Sequence, residues 1–398
     1  MRAVAAIVLS LLLAPAAHAA SWSKPKVFTG TAGEDAVPRA AITAAGKSTV
    51  AWRRHDKRLV MSTNLHRPKV IARGVRDFAV APGAVAWEAA DGLWVYAGGK
   101  ARRVAESTGS EINGVAIAAD PLGGWVVAER QYPRKASGKP YRVRALSLDA
   151  TGAAVGPVQD LGLGQFGIDA LQTQNLEVLP DGRALLVFQR DAVAYTDPEP
   201  VVLSTRPHGG AFSEPIVVGD GLTDARVNGG TLTVTQTAQC GDSGCAGQPR
   251  SIAVDADGTL GAPVGPALPN PRRAFAPFAT ANALVFLLKT GSQPFSKEAP
   301  VMAYTAAHGL QTITHEKAHE PVALPLSGGR TLALWATRSR LGAALAGPDG
   351  TFKKTAAPAG SPPPIYHFNA TNRDARSAGA WVIFTWSRGN TVRISVRH

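Results

Sequence analysis

Cysteine is nearly absent from this sequence. Only Cys240 and Cys245 occur in 398 residues, which excludes a multi-bridge disulfide framework and a four-cysteine metal site. Long apolar runs are also missing: past residue 19 nothing approaches the roughly 18 residues a membrane-spanning helix needs. No apolar stripe at helical spacing lasts three turns, so a helical bundle or an α/β fold is not expected. Charged residues make up only 18%, and acidic ones are the scarcer, leaving +13. That balance favours anionic partners. Aromatics are 7% and no aromatic-interleaved basic stripe occurs, which argues against a specific nucleic-acid site. The basic residues read as short pairs (Arg53-Arg54, Arg102-Arg103, Arg272-Arg273, Lys353-Lys354) scattered along the chain, a generally basic surface.

What is present begins with Met1-Arg2-Ala3-Val4, an apolar stretch from Ala5 to Ala14, and Ala17-His18-Ala19. A positive start, a short apolar run and an Ala-x-Ala end read as a secretory signal peptide over residues 1–19, cleaved after Ala19. The expected mature domain is 20–398 and its location extracytoplasmic. No cysteine follows the cleavage point, so a lipid anchor is not expected. Two close cysteines in an exported chain usually pair. Cys240 and Cys245 are therefore expected to staple the tip of a hairpin between strands at 231–237 and 251–254.

A repeat sets the fold. A small polar turn followed by a short apolar strand, often with an aromatic and then a charge, recurs eight times. It reads Gly46–Arg53, Gly83–Glu88, Gly123–Arg130, Asp181–Arg190, Gly230–Thr235, Asn282–Phe286, Gly329–Trp335 and Gly379–Trp386. The copies lie about 35 to 60 residues apart, the period of a four-stranded propeller blade. Further strands flank them, and Asp/Gly turns such as 149–152, 255–258 and 348–352 supply the positive φ that hairpins demand. Trp22–Val27 is similar to Phe212–Val217, an outer strand of the fourth module, yet it stands alone at the N-terminus. The C-terminal module has only three obvious strands. The expectation is an all-β chain forming a single β-propeller, with eight four-stranded blades and the N-terminal strand completing the last one. Seven blades remain open because the first two modules are short and the fifth irregular.

Ser204–Pro215 resembles a repeat of exported bacterial propellers of sialidase-like architecture, and the turns Ser147-Leu148-Asp149-Ala150-Thr151-Gly152 and Asp349-Gly350-Thr351-Phe352 resemble degenerate Asp-box hairpins of that superfamily. That resemblance implies a structural role for the turns. It implies no catalysis.

Three patterns invite chemistry. His315-Glu316-Lys317-Ala318-His319 matches the zincin spacing, which needs two His one helical turn apart and a Glu as base. Strand-like residues before it and Pro321 after it favour a solvated link, leaving His315, Glu316 and His319 as weak metal candidates. Gly241-Asp242-Ser243-Gly244 and Thr305-Ala306-Ala307-His308-Gly309 resemble trypsin-like protease segments, but Cys245 stands where Gly is required. A sialidase-like hydrolase could draw on Glu129, Glu177, Asp169 and Tyr195. Val37-Pro38-Arg39-Ala40 occupies the place of that family's N-terminal Arg motif without matching it. Trp52, Trp87, Trp335 and Trp386 recur with the repeat and are read as blade-to-blade packing.

No catalytic residue and no cofactor is assigned. The functional expectation is a secreted binding or scaffold module whose partner is a glycan, an anionic envelope polymer or another protein. The alternative is a sialidase-like carbohydrate-active hydrolase.

Overall fold

The computed structural model describes residues 21–29, 38–106, 111–132, 142–163, 175–189, 200–219, 222–241, 244–268, 273–289, 298–360, 373–388 and 391–398. The signal segment, Asp169, Tyr195 and Ser243 lie outside them. The described residues form an all-β, propeller-like fold of repeated four-stranded antiparallel sheets. The first sheet runs Arg39–Ile42, Ser48–Arg53, Leu59–Thr63, Lys69–Ala72 and the second Phe78–Ala81, Ala84–Ala89, Gly92–Ala97, Lys100–Glu106. The third runs Glu111–Ala119, Trp125–Tyr132, Arg142–Leu148, Ala154–Leu163 and the fourth Leu176–Val178, Ala184–Gln189, Val201–Arg206, Ile216–Gly219.

A ten-stranded run follows, from Leu222–Asn228 to Phe352–Lys354. Its strand Gly309–Leu326 serves two partners in turn. It pairs with Ala299–Thr305 as far as Ala318, and with Arg330–Ala336 from His319 onward. The C-terminal sheet has the order Lys26–Thr29, Thr391–Arg397, Trp381–Arg388, Arg373–Ala378. The N-terminal strand thus pairs with the C-terminal one, with Val27 opposite Arg393 and Phe28 opposite Val392.

Every copy of the sequence repeat became the second strand of a sheet or of a unit in the run. Near-continuous apolar residues let such a strand bury both faces between neighbours, so the core sits in the seams between sheets. Trp52 clusters with Ile383, Val392 and Ile394 of the C-terminal sheet, and Trp87 with Leu59 and Met61 of the first. Trp335 meets Val285 and Val301, and Trp386 meets Leu334 and Leu341. Each indole is a wedge driven toward the preceding sheet. At roughly 25 cal/mol per Å2 and ~200 Å2 of buried surface, each contributes up to about 5 kcal/mol.

The hairpins at one end share a device. In Thr43–Lys47, Asp120–Gly124, Asp149–Ala153, Leu179–Arg183 and Asp255–Thr259, the first residue accepts from the N–H of the fourth and donates its own N–H to the carbonyl of the fifth. The fourth residue is a glycine at positive φ in all five, and in Asp120–Gly124 the fifth is a glycine as well. This is a type I turn closed by a glycine bulge. Asp149 Oδ1 adds bonds from the N–H of Thr151 (2.8 Å) and Ala153 (3.0 Å), a structural use of the Asp-box-like residue. The turn glycines also admit the neighbouring sheet: a Cβ on Gly152 would lie 2.8 Å from the Ala97 side chain, and one on Gly350 3.2 Å from Thr305.

Candidate functional site: the charged end of the sheets

Antiparallel order puts the starts of the first and third strands of each sheet at the end opposite these hairpins. Charged side chains gather there. The Ala40 N–H donates to Asp374 Oδ2 (2.9 Å). Arg39 pairs with Asp77 (3.1 Å) and lies over the Phe78 ring (4.8 Å). Asp77 Oδ2 in turn accepts from Val115 N–H (3.2 Å). These bonds link the leading ends of the C-terminal, first, second and third sheets. Arg53 Nη1 donates to the Arg76 carbonyl, and Arg76 pairs with Glu88 (3.2 Å), whose side chain is 1% exposed. Farther round, Arg338 meets Glu298 (2.7 Å) and Arg340 meets Glu316.

Glu129 is fully buried on the second strand of the third sheet, paired with Arg144 and bonded by Gln131 Nε2 (3.3 Å). Burial raises its carboxyl above the ordinary range, and the Arg144 charge works against that rise. A buried, paired carboxylate has no route to an external substrate.

Glu177 sits near the other end, on the inner strand of the fourth sheet. Its two oxygens accept from Gly229 N–H (2.7 Å) and Gly230 N–H (3.0 Å). Loss of hydration raises its carboxyl, while the two N–H groups and the charge of Arg376, from the C-terminal sheet, lower it. The same end is filled by Asn228, whose amide donates to Ala279 O (2.9 Å) and Ala323 O (3.2 Å), and by Ser377, which donates to Pro325 O (2.7 Å). Glu177 thus lies in a plugged region that ties sheets together.

The zincin-like segment lies within the extended strand Gly309–Leu326, where the ladder with Ala299–Thr305 passes from Thr314 to Ala318 through a bulge. In extended chain four residues span about 13 Å. His315 is exposed and His319 buried, so the helical pairing that the motif needs is not formed. Among the described residues no group of three His, Cys, Asp or Glu could hold a metal ion. His308 Nε2 lies 3.1 Å from Thr351 Oγ1 in a hairpin contact. Cys240 and Cys245 are directly opposed in register across the hairpin Thr231–Gly241/Gly244–Ala253.

Two features were missed in the sequence. One is the buried pair Asp120 and Arg206, with the exposed His208 on the same carboxylate, that links the third and fourth sheets. The other is the distribution of charge: residues 38–106 hold thirteen Lys/Arg and five Asp/Glu, +8 of the chain's +13. The basic residues are not evenly scattered, as their pairing had suggested. A charge count by module would have found this.

A shallow crevice of about 10 Å3 lined by Val322, Leu334, Trp335 and Phe384 is apolar. It is smaller than the ~300–1,000 Å3 typical of ligand pockets.

No family model matches the sequence, and no curated protein matches it. Solved structures similar to it include a protein of unknown function from Dyadobacter fermentans (11% identity, 94% of this chain and 98% of that one, TM-score 0.43). A prolyl endopeptidase shares 12% identity over 89% of this chain and 46% of its own (TM-score 0.46). Puromycin hydrolase shares 15% over 91% and 58% (TM-score 0.43). The chain therefore spans about half the length of those two enzymes.

Proposed function

We propose that the chain is an exported eight-bladed β-propeller, a binding or scaffold module that meets its partner with its charged end. The ten-stranded run contributes three blades, and the N-terminal strand completes the eighth. Support for the ring comes from the succession of seams, including the cluster shared by Trp52 of the first sheet and Ile394 of the last. Export rests on the signal-like residues 1–19, and the Cys240–Cys245 disulfide on that location and on their register.

One observation carries the choice of face. The hairpin end is closed by tight turns bonded to their neighbours, as in Trp125 Nε1 to Pro82 O (3.0 Å) and Asn282 Nδ2 to Gly329 O (2.8 Å). The opposite end displays ion pairs from many sheets, where connections from several blades converge. The test is a screen of the mature protein against arrayed glycans and anionic envelope polymers at two salt concentrations. Saturable binding that survives high salt, and is lost on substituting charged-end residues but not hairpin residues, supports the reading. Binding that is lost only on hairpin-end substitution refutes it.

A sialidase-like hydrolase is the second reading, motivated by the raised carboxyl of Glu177 within reach of the Arg376 charge. Release of sugar by the mature protein, abolished in Glu177→Gln, would favour it.

A further inference from the structure

We infer that the charged end of the first two sheets is a docking patch for an anionic polysaccharide; this deepens the binding reading above and rests on it. The turn Arg53–Arg58 and the link 73–76 form one surface. Val75 is fully buried between them and its N–H donates to Lys57 O (3.1 Å), while Arg53 Nη1 donates to Arg76 O. The acids there are outnumbered. Asp56 is shared between Arg54 (3.6 Å) and Arg58 (3.2 Å), and Glu88 is taken by Arg76. Lys57 and Arg73 are exposed beside them, as is His55. Lys57 also holds φ 57°, a left-handed conformation uncommon for a lysine, and strain of that kind clusters at ligand sites.

An aromatic surface adjoins the cations. Trp94 is half-buried and stacks on Trp87 (centroids 6.2 Å apart), and both pack in the same seam as Val75. Arg103 is opposite Trp94 in register, so the two share a face, where Arg103 pairs with Glu106 (3.2 Å) and the Trp94 indole donates to Asp91 (3.0 Å). A sugar ring can stack on an indole while its carboxylates or sulfates meet guanidinium groups. A single aromatic cannot stack successive bases as a single-stranded nucleic-acid groove does. None of the exposed large apolar side chains lies in 53–58 or 73–76, so a bilayer would find no wedge there.

The experiment titrates the mature protein with polygalacturonate and with duplex DNA of matched charge, at two salt concentrations. Lys57→Glu/Arg73→Glu reverses two exposed charges of the patch. Lys353→Glu/Lys354→Glu makes the same change of net charge on a distant outer strand, and Arg338→Glu/Arg340→Glu does so elsewhere on the charged end. The expected result is at least a tenfold rise in Kd for the first pair, a smaller rise for the Arg338/Arg340 pair, a change within twofold for the Lys353/Lys354 pair, and weaker binding of DNA. Equal losses in the first two variants would mean that net charge alone acts, and would overturn the inference, as would DNA binding as tight as polygalacturonate. Loss only in the Arg338/Arg340 variant would remove the patch and leave the charged-end reading intact. Failure of the wild-type protein to bind polygalacturonate would refute the patch, while the array screen decides the broader reading separately.

Discussion

Replacing Asp120 by Ala should open the seam between the third and fourth sheets. Asp120 and Arg206 have side chains 4% and 3% exposed, and lie 3.3 Å apart. Asp120 Oδ2 is also 3.0 Å from His208 Nδ1, and its Oδ1 caps Leu122 N–H at 3.0 Å. Burial lowers the Arg206 guanidinium from its ordinary value and the Asp120 charge opposes that, so the aspartate is what makes the buried cation tolerable. Removing one member of such a pair typically costs ~3–5 kcal/mol, because the other is left buried and unpaired. With about 2.1 cal/mol/K of unfolding entropy per residue, a chain of this length should lose about 4–6 °C in Tm. Thermal and urea unfolding of Asp120→Ala measure the loss. Asp120→Ala/Arg206→Met should recover much of it, since an apolar pair leaves no orphan charge. A loss under ~1 kcal/mol, or a double variant no better than the single, would refute the reasoning.

Glu177 gives a pH prediction. Its carboxyl is raised from 4.5, so the folded state holds the proton more tightly than the unfolded chain. The stabilisation this brings is complete below the ordinary glutamate range and is lost as pH rises through the raised value. The stability of Glu177→Gln relative to the wild type should therefore improve as pH rises from about 4.5 toward neutrality; a difference flat with pH, by urea unfolding, contradicts it. Two glycines at positive φ should differ sharply. A Cβ on Gly124 would stand 1.9 Å from the Leu148 carbonyl oxygen, whereas one on Gly98 would meet nothing within 4 Å. Gly98→Ala should cost about 1–2 kcal/mol for its backbone conformation alone, and Gly124→Ala more than twice as much. Equal costs would show that the close approach at Gly124 carries no energy.

Much of the fold was legible because a blade strand announces itself twice, by alternation and by the turn before it. Ser48–Arg53 and Trp125–Tyr132 carry both signals. The inner strands Leu222–Asn228, Arg273–Ala279 and Arg373–Ala378 went unseen. They carry Arg, Asp, Asn and Pro because polar groups on the first strand of a sheet bond across to neighbouring sheets, as Asn228 does. Residues 315–319 do lie where the sixth unit passes to the seventh, but as extended strand rather than loop. Gly309–Leu326 continues without a break because it changes partner at Ala318/His319, and nothing local marks such a switch. The candidate site was least legible. The segments that carry Arg54, Lys57 and Arg73 are joined by the bond from Val75 N–H to Lys57 O, a contact between separate stretches of chain.

The assignment of faces depends on the sheets forming one ring locked by the N-terminal strand. Val27 and Arg393 are opposed in register, and Val27 is 43% exposed, so cysteines can be placed there without entering the core. Val27→Cys/Arg393→Cys should oxidise to an intramolecular disulfide in the folded mature protein. Closing nearly the whole chain into a covalent loop should stabilise it by about 5–6 kcal/mol in the chain-entropy account. A reducible shift in non-reducing electrophoresis, with a Tm that falls on reduction, is the predicted result. A pair that stays as free thiols in the folded protein, or crosslinks only between molecules, would contradict the ring.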